Sequence, residues 1–506
     1  MKAALKLPYD LDAEDNKPGL KATATARSRP ATRPNETVAA VLFWAFVGGL
    51  AWCPYSYAGT GLFAWGINAV LFPGLAALYE ISLLTTGERH PVAVKQVGIS
   101  AALFVAVVIW IVVQNATWTP SSWHHPIWGM TADALGKPIA GSITVNRDLT
   151  TLALLRLITS ASVFWLALQL CRKASRANQF MMAIAVISCG YAVYGLISFA
   201  LTPEPVSWYG NTSVRGFETT TFMNPNHYAT YAGIGLVTMC GLILRLYLYE
   251  TATVGGSLGY RIARIIEATG QSGVFLFGGA FLVFVTLLLT GSRAGIMATG
   301  LALMVLGAFW FARQKINSHR IDKAKVSRTL FVILGLFVLG TAIVLVFGDA
   351  FFVRLTELDV THDSRMAVYL ITLRSIFDAP LLGYGYGTFM DVFPMFRDRS
   401  IIIEDVWQQA HNTYLEVFQG LGLIFGSMLV ASIVLLVLKC GKGAITRREG
   451  VAVPAIAASV ACLVGVHALV DFSLQVQAVA LTLMAIFGAG IAQSKSSRLT
   501  VSDHNG

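Results

Sequence analysis

Apolar runs of membrane-spanning length constrain this chain more than any other feature. Stretches of about 20 residues, the length a helix needs to cross a bilayer, lie at 38–56, 61–84, 96–113, 150–170, 179–201, 226–247, 273–290, 295–312, 329–347, 411–438, 452–472 and 476–493. Only 13% of the residues are charged, against about 25% in an ordinary soluble domain. In hydrocarbon every backbone polar group must be paired within its own segment or in a closed barrel, and runs this long and apolar meet that demand as helices. The sequence therefore predicts an all-α polytopic membrane protein of about 12 transmembrane helices.

Lysine and arginine set the orientation, because they accumulate on the cytoplasmic side. If the start is inside, 27 of the 37 fall on the inner side, nine fall outside, and Arg156 lies within a span. The division follows: residues 1–37 a disordered cytoplasmic tail, 38–493 the transmembrane domain, and 494–506 a cytoplasmic tail. The tail carries Pro8, Pro18, Pro30 and Pro34 and lacks the apolar core of a signal peptide. A large periplasmic loop, 348–410, separates the ninth and tenth spans. The net charge of +10 is this orientation signal; it attracts anionic membrane lipid and does not argue for nucleic acid. The six cysteines show no CxxC or metal spacing, so neither a disulfide nor a metal is expected. With no phosphate-binding or dinucleotide fingerprint either, no cofactor is expected and ATP is not the energy source.

The large loop runs into the richest polar passage, THDSRMAVYLITLRSIFDAPLLGYGYGTF to QQAHNTYLEVFQG. Asp363-Ser364 are good helix caps, and Met366, Leu370, Leu373 and Phe377 then form one apolar stripe. With Arg365 and Arg374 on its flanks, this amphipathic helix is expected to lie on the membrane surface. The glycines of Gly383-Tyr384-Gly385-Tyr386-Gly387 suit close approach of a ligand or another segment. His411 and Asn412 stand at the mouth of the next span.

Other outer residues have two readings each. Asn224, Asn226 and His227 open the sixth span, as helix caps or as substrate-binding groups. Arg293 sits in a tight outer turn, where an arginine is costly unless paired or facing an anion. Arg156 either snorkels outward or floors a polar cavity, and Glu80 reads as a satisfied or snorkelling acid. Trp118, Trp123 and Trp128 beside His124 and His125 read as an interfacial belt before a sugar-stacking platform. His467 and Asp471, four residues apart, read as a structural pair on one helix face. Eight of the nine outer basic residues are arginine, whose planar fork suits bidentate phosphate recognition.

TFMNPNHYATY, LTGSRAG, DSRMAVYLITLRSIFDAPLLGYGYGTF and QQAHNTYLEVFQGLGLIFG resemble, in order and in topological position, the motifs of the O-antigen ligase and polymerase superfamily over about 215–426. The resemblance implies a membrane glycosyltransferase of the bacterial inner membrane, both termini cytoplasmic. Such an enzyme takes a glycan from an undecaprenyl-diphosphate carrier to a saccharide acceptor hydroxyl on the periplasmic face, without metal or ATP and with inversion. By position it implies that Arg293 and Arg365, with Arg215 less firmly placed, hold the diphosphate, and that His411 acts on the acceptor hydroxyl. Asn224, Asn226, His227, Asn412 and Arg374 are the further substrate-binding candidates. The motifs leave open a lipid A-core ligase of lipopolysaccharide synthesis, an O-antigen or exopolysaccharide polymerase, and a protein O-oligosaccharyltransferase. The competing class is a secondary anion transporter. Transporters place ionisable groups and broken helices near mid-membrane in repeats, whereas here they cluster at outer helix ends.

Overall fold

The computed structural model describes residues 34–201, 220–251, 258–317, 358–401, 407–447 and 450–495. Among the described residues all regular structure is helical. The first helices are α1 (Pro34–Trp52), α2 (Leu62–Thr86), α3 (Gly98–Asn115), the short α4 (Ile127–Leu135), α5 (Arg147–Leu170) and α6 (Ala174–Leu201). The middle of the chain gives α7 (Pro225–Thr251), α8 (Leu258–Leu289) and α9 (Arg293–Asn317). The large loop holds α10 (Leu358–Asp378) and α11 (Phe389–Phe396), and α12 (Thr413–Thr446), α13 (Ala452–His467) and α14 (Gln477–Ala492) complete the order.

Helices cover every predicted span except 329–347, which lies outside the described residues, as does the tail up to residue 33. Seven of them, α2, α3, α5, α6, α7, α9 and α12, are long and apolar enough to cross a membrane. The expected count of about 12 thus meets seven full-length candidates, while α1, the apolar half of α8, α13 and α14 are apolar but shorter. The reason matters for the site. At 1.5 Å per residue the 16 residues of α13 or α14 rise about 24 Å, short of the roughly 30 Å hydrocarbon core. α14 is almost wholly buried and α13 mostly so. Their connection, 468–476, is consequently drawn in among longer neighbours, with Asp471 and Ser473 buried.

Close approach of small residues, the main attraction available between helices in lipid, shapes the core. A side chain at Gly488 of α14 would stand 2.4 Å from the Phe164 carbonyl of α5. Leu84, Val70, Ile99 and Met297 point outward, as befits helices whose outer faces meet lipid. Glu80 is satisfied, accepting from Trp165 Nε1 at 2.6 Å and lying 2.8 Å from His90 Nε2.

The large loop departs from expectation in two places. α10 begins at Leu358, upstream of the expected caps Asp363-Ser364. Interior Asp and Ser cost a helix only a few tenths of a kcal/mol, so capping preference did not set its start. Its Met366, Leu370, Leu373 and Phe377 stripe is exposed, while Val368, Ile371 and Ile376 are buried. The helix thus packs by one apolar face and turns the other outward, the arrangement expected at a membrane surface. The glycine alternation, for its part, serves another segment: a side chain at Gly385 would collide with Thr144, and one at Gly383 with the Gly420 carbonyl. Here α12 is broken at Gly422 (φ 76°). The freed carbonyls are met by Tyr384 N to Gln419 O (3.1 Å), Gly385 N to Gly420 O (3.0 Å) and Gln114 Nε2 to Gly420 O (2.7 Å). Backbone so exposed at membrane depth survives only when protein groups pair it.

Candidate functional site

Four helix termini meet around 468–476. Thr413 at the start of α12 donates its N–H to Ala468 O at 3.0 Å. Thr230, in the first turns of α7, sets its Oγ1 2.6 Å from His467 Nδ1 at the end of α13 and donates to Ser473 Oγ at 2.9 Å. α9 begins with Arg293, and a side chain at Gly295 would stand 2.6 Å from Ala229 of α7. A compact polar junction results at one end of the bundle.

Asp471 is its centre. Ser473 Oγ donates to Oδ2 at 2.5 Å, His227 Nε2 stands 3.7 Å from the same oxygen, and His411 Nδ1 stands 3.7 Å from Oδ1. The Phe472 ring meets His227 and His411 edge to face, with centroids 4.5 and 4.8 Å away. Burial pushes the Asp471 carboxyl up, but His411, His227, His467 and the Ser473 hydroxyl together outweigh it and hold the group well below the usual carboxylate range. A fixed negative charge between two imidazoles favours a proton on the nitrogen that faces it. At 3.7 Å neither imidazole makes a hydrogen bond by distance. His227 Nε2, His411 Nδ1, His467 Nε2 and Asp471 Oδ1 are all buried atoms without a hydrogen-bond partner.

His411 differs from His227 in two ways. Its side chain is 20% exposed against 5%, so only His411 opens outward. It also has φ +52°, a left-handed conformation that costs an ordinary residue about 1–2 kcal/mol. Three groups hold that backbone. Tyr369 Oη donates to His411 O at 3.0 Å, Asn412 Oδ1 accepts from Tyr414 N and Leu415 N, and Glu416 Oε1 accepts Ala410 N at 2.7 Å. The Trp407 ring covers one side, 5.5 Å between centroids.

Of the predicted residues, His411 and His227 come together on Asp471, while Arg365 stands one helical turn before Tyr369 on α10. Burial raises the Tyr369 phenol, while the Arg365 guanidinium lowers it and Asp471 raises it; this one phenol therefore feels both charges. Arg293 is half-buried at the start of α9 and makes no hydrogen bond or ion pair among the described residues. Asn224 and Asn412 are caps: Asn224 Oδ1 accepts Asn226 N at 2.8 Å, and Asn412 closes the first turn of α12. The Asn226 carbonyl lies 3.1 Å from Thr230 Oγ1. Arg374 is on the exposed flank, bonded to Asp398 at 2.7 Å. Arg215 lies outside the described residues.

Two carboxylates escaped the sequence reading. Asp471 was expected to pair with His467 on one helix face, but α13 stops at His467 and Asp471 turns instead to His411, His227 and Ser473. Glu416, five residues after His411, is buried and accepts from Ala410 N and from Gln475 Nε2. Behind it Arg156 bonds Gln475 O and lies over the Trp65 ring at 4.4 Å, so the arginine is held within the bundle by protein groups. A carboxylate one turn after a mouth histidine was the signal available for Glu416.

Residues 278–430 match the family model described as O-antigen ligase, in agreement with the motifs read from the sequence. No curated protein matches the chain. The matched stretch holds Arg293, Arg365, Tyr369, His411 and Glu416 and ends before Asp471.

Proposed function

We propose, from the O-antigen ligase match over 278–430, that this multi-pass membrane protein transfers a glycan from a polyprenyl diphosphate to a hydroxyl of a saccharide acceptor at the outer, periplasmic face of a bacterial inner membrane. The observation that carries the reading is Asp471, a buried carboxylate facing the outward-opening His411 at 3.7 Å, with Arg365 bearing on the same Tyr369 that binds the His411 carbonyl.

Each group then has a task. Asp471 keeps a proton on His411 Nδ1, which leaves Nε2 as the base, as in other histidine–carboxylate pairs. Catalytic hydrogen bonds that are long in the free enzyme tighten when substrate binds. The acceptor oxygen gives its proton to His411 Nε2 and forms a bond to the anomeric carbon. The bond from that carbon to the diphosphate oxygen breaks, and the electron pair leaves with the diphosphate. Arg293 and Arg365 take up the charge that develops there, which favours the transition state over the bound donor. Displacement from the opposite face inverts the anomeric centre, and the carrier bond itself supplies the driving force.

The test uses purified full-length protein in detergent, a short-chain polyprenyl-diphosphate glycan and a saccharide acceptor. Product in which acceptor carries the inverted linkage, with one polyprenyl diphosphate released per transfer, is the expected result. Uptake of solute into sealed vesicles with no transfer would assign the chain to the transporter class instead. Orientation is checked separately: in intact cells an impermeant thiol reagent should label Ser400→Cys and spare Thr446→Cys at the far end of α12.

A further inference from the structure

We propose that Glu416 is a positioning residue that sets how the His411 imidazole faces Asp471. The proposal rests on the reading of His411 as the base. The two partners lie on different segments, 407–412 and 468–476, and one side chain reaches both. Glu416 Oε1 accepts the N–H of Ala410, the residue before His411, at 2.7 Å, and Oε2 accepts from Gln475 Nε2. Gln475 is two residues beyond Ser473, which holds Asp471 Oδ2 at 2.5 Å.

The rest of the environment keeps the bridge in place. Arg156 bonds Gln475 O and is itself fixed over Trp65, so the Gln475 backbone is held from behind. Thr413 forms a second link between the segments, N–H to Ala468 O and Oγ1 to Asp471 O at 3.4 Å. That link fixes how far apart the ends of α12 and α13 stand. Glu416 governs instead the peptide leading into His411, whose φ of +52° is a conformation that surrounding bonds must impose. Released at Ala410, the backbone would relax toward negative φ and swing the imidazole away from Asp471.

Loss and rescue of the acceptor give a decisive experiment. Glu416→Leu keeps apolar bulk but leaves Ala410 N and Gln475 Nε2 without an acceptor. Glu416→Gln keeps an oxygen for Ala410 N, and its NH2 pairs with the Gln475 side-chain oxygen once that amide turns over. Glycan transfer and the pH dependence of His411 carbethoxylation, read by mass spectrometry, are measured in the full-length wild type, Glu416→Leu and Glu416→Gln. For Glu416→Leu, kcat should fall about 10- to 100-fold with KM for the donor within about twofold, and the His411 modification profile should shift. In Glu416→Gln both should stay near wild type. A His411 profile unchanged in Glu416→Leu, or a Glu416→Gln loss as large as that of Glu416→Leu, would overturn the proposal. If the profile shifts in Glu416→Leu and holds in Glu416→Gln while transfer follows neither, the positioning stands and the assignment of His411 as base fails.

Discussion

The connection between α3 and α5 and the junction of 407–412 with 468–476 lie at the same end of the bundle and use the same residue types, yet they treat their polar atoms differently. In the first, His124 Nε2 lies 3.0 Å from Thr119 Oγ1, and His125 Nδ1 accepts Ile127 N at 3.2 Å. Trp128 Nε1 donates to Thr144 O at 2.9 Å, and Arg147 stacks over Trp128 at 4.3 Å. In the second, three imidazole nitrogens and a carboxylate oxygen are buried with no hydrogen bond. Buried polar groups in native proteins are overwhelmingly paired. A region that pairs them is finished structure; one that leaves several facing each other is arranged for something that binds.

The comparison breaks most sharply at histidine. His411→Ala should lower kcat for transfer by about 10²- to 10⁴-fold, the usual contribution of a general base, with donor affinity largely kept. His124→Ala, outside the junction, should leave kcat within about twofold. Single-turnover transfer by the purified proteins reads both, and equal losses would mean that the two regions share a structural role. A smaller loss, on the order of 10²-fold, is expected for Asp471→Asn, which keeps the shape but removes the charge that orients His411. The Asp471 carboxyl stays ionised far into acid. Any acid-side fall in transfer near neutral pH therefore belongs to another group, and the pH profile of the wild type should show no inflection from Asp471 above about pH 4.

Arginine carries the comparison to the edge of the site. Arg374 is already bonded to exposed Asp398, whereas Arg293 makes no hydrogen bond or ion pair among the described residues. Arg293→Lys and Arg365→Lys keep the charge but lose the two-pronged fork. Each should lower kcat/KM about 10-fold, near the value of one charge-assisted hydrogen bond, while Arg374→Lys should stay within about twofold. Initial rates at varied donor concentration decide this; an Arg374 loss as large as the other two would redraw the diphosphate site around α10.

Sequence made the helices visible because burial in lipid imposes long apolar runs, and it reached His411 and Arg365 because both stand in local motifs. The count of spans was harder, since apolar composition does not reveal that α13 and α14 are shorter than the other apolar helices and packed among them. The same shortness hid Asp471. Treating 452–472 as one helix put it on a face with His467, whereas the helix stops at His467 and the next turn swings the carboxylate to His411 and His227. For Arg156 the two readings were separable only by what lies across the bundle, Gln475 O and Trp65. In each miss the deciding partner is more than 50 residues away in sequence or depends on where a helix ends.

The smallest effect tests the finished region itself. Burial lowers the His125 pKa below its ordinary 6.5, and the opposing Asp378 charge only partly offsets this. The neutral ring is the form that fits, because Nδ1 must accept from Ile127 N. The unfolded chain takes up a proton near pH 6.5 and the folded chain resists it. The associated stability is therefore whole above that value and is lost as pH falls toward and through the depressed folded pKa. The ring is half-exposed, so the effect should be modest, a fall in Tm of about 2 °C or less between pH 7.5 and 5.5. His125→Asn supplies an acceptor that does not titrate and should flatten this slope, whereas His124→Ala should not. A slope kept intact in His125→Asn would place the titrating group elsewhere.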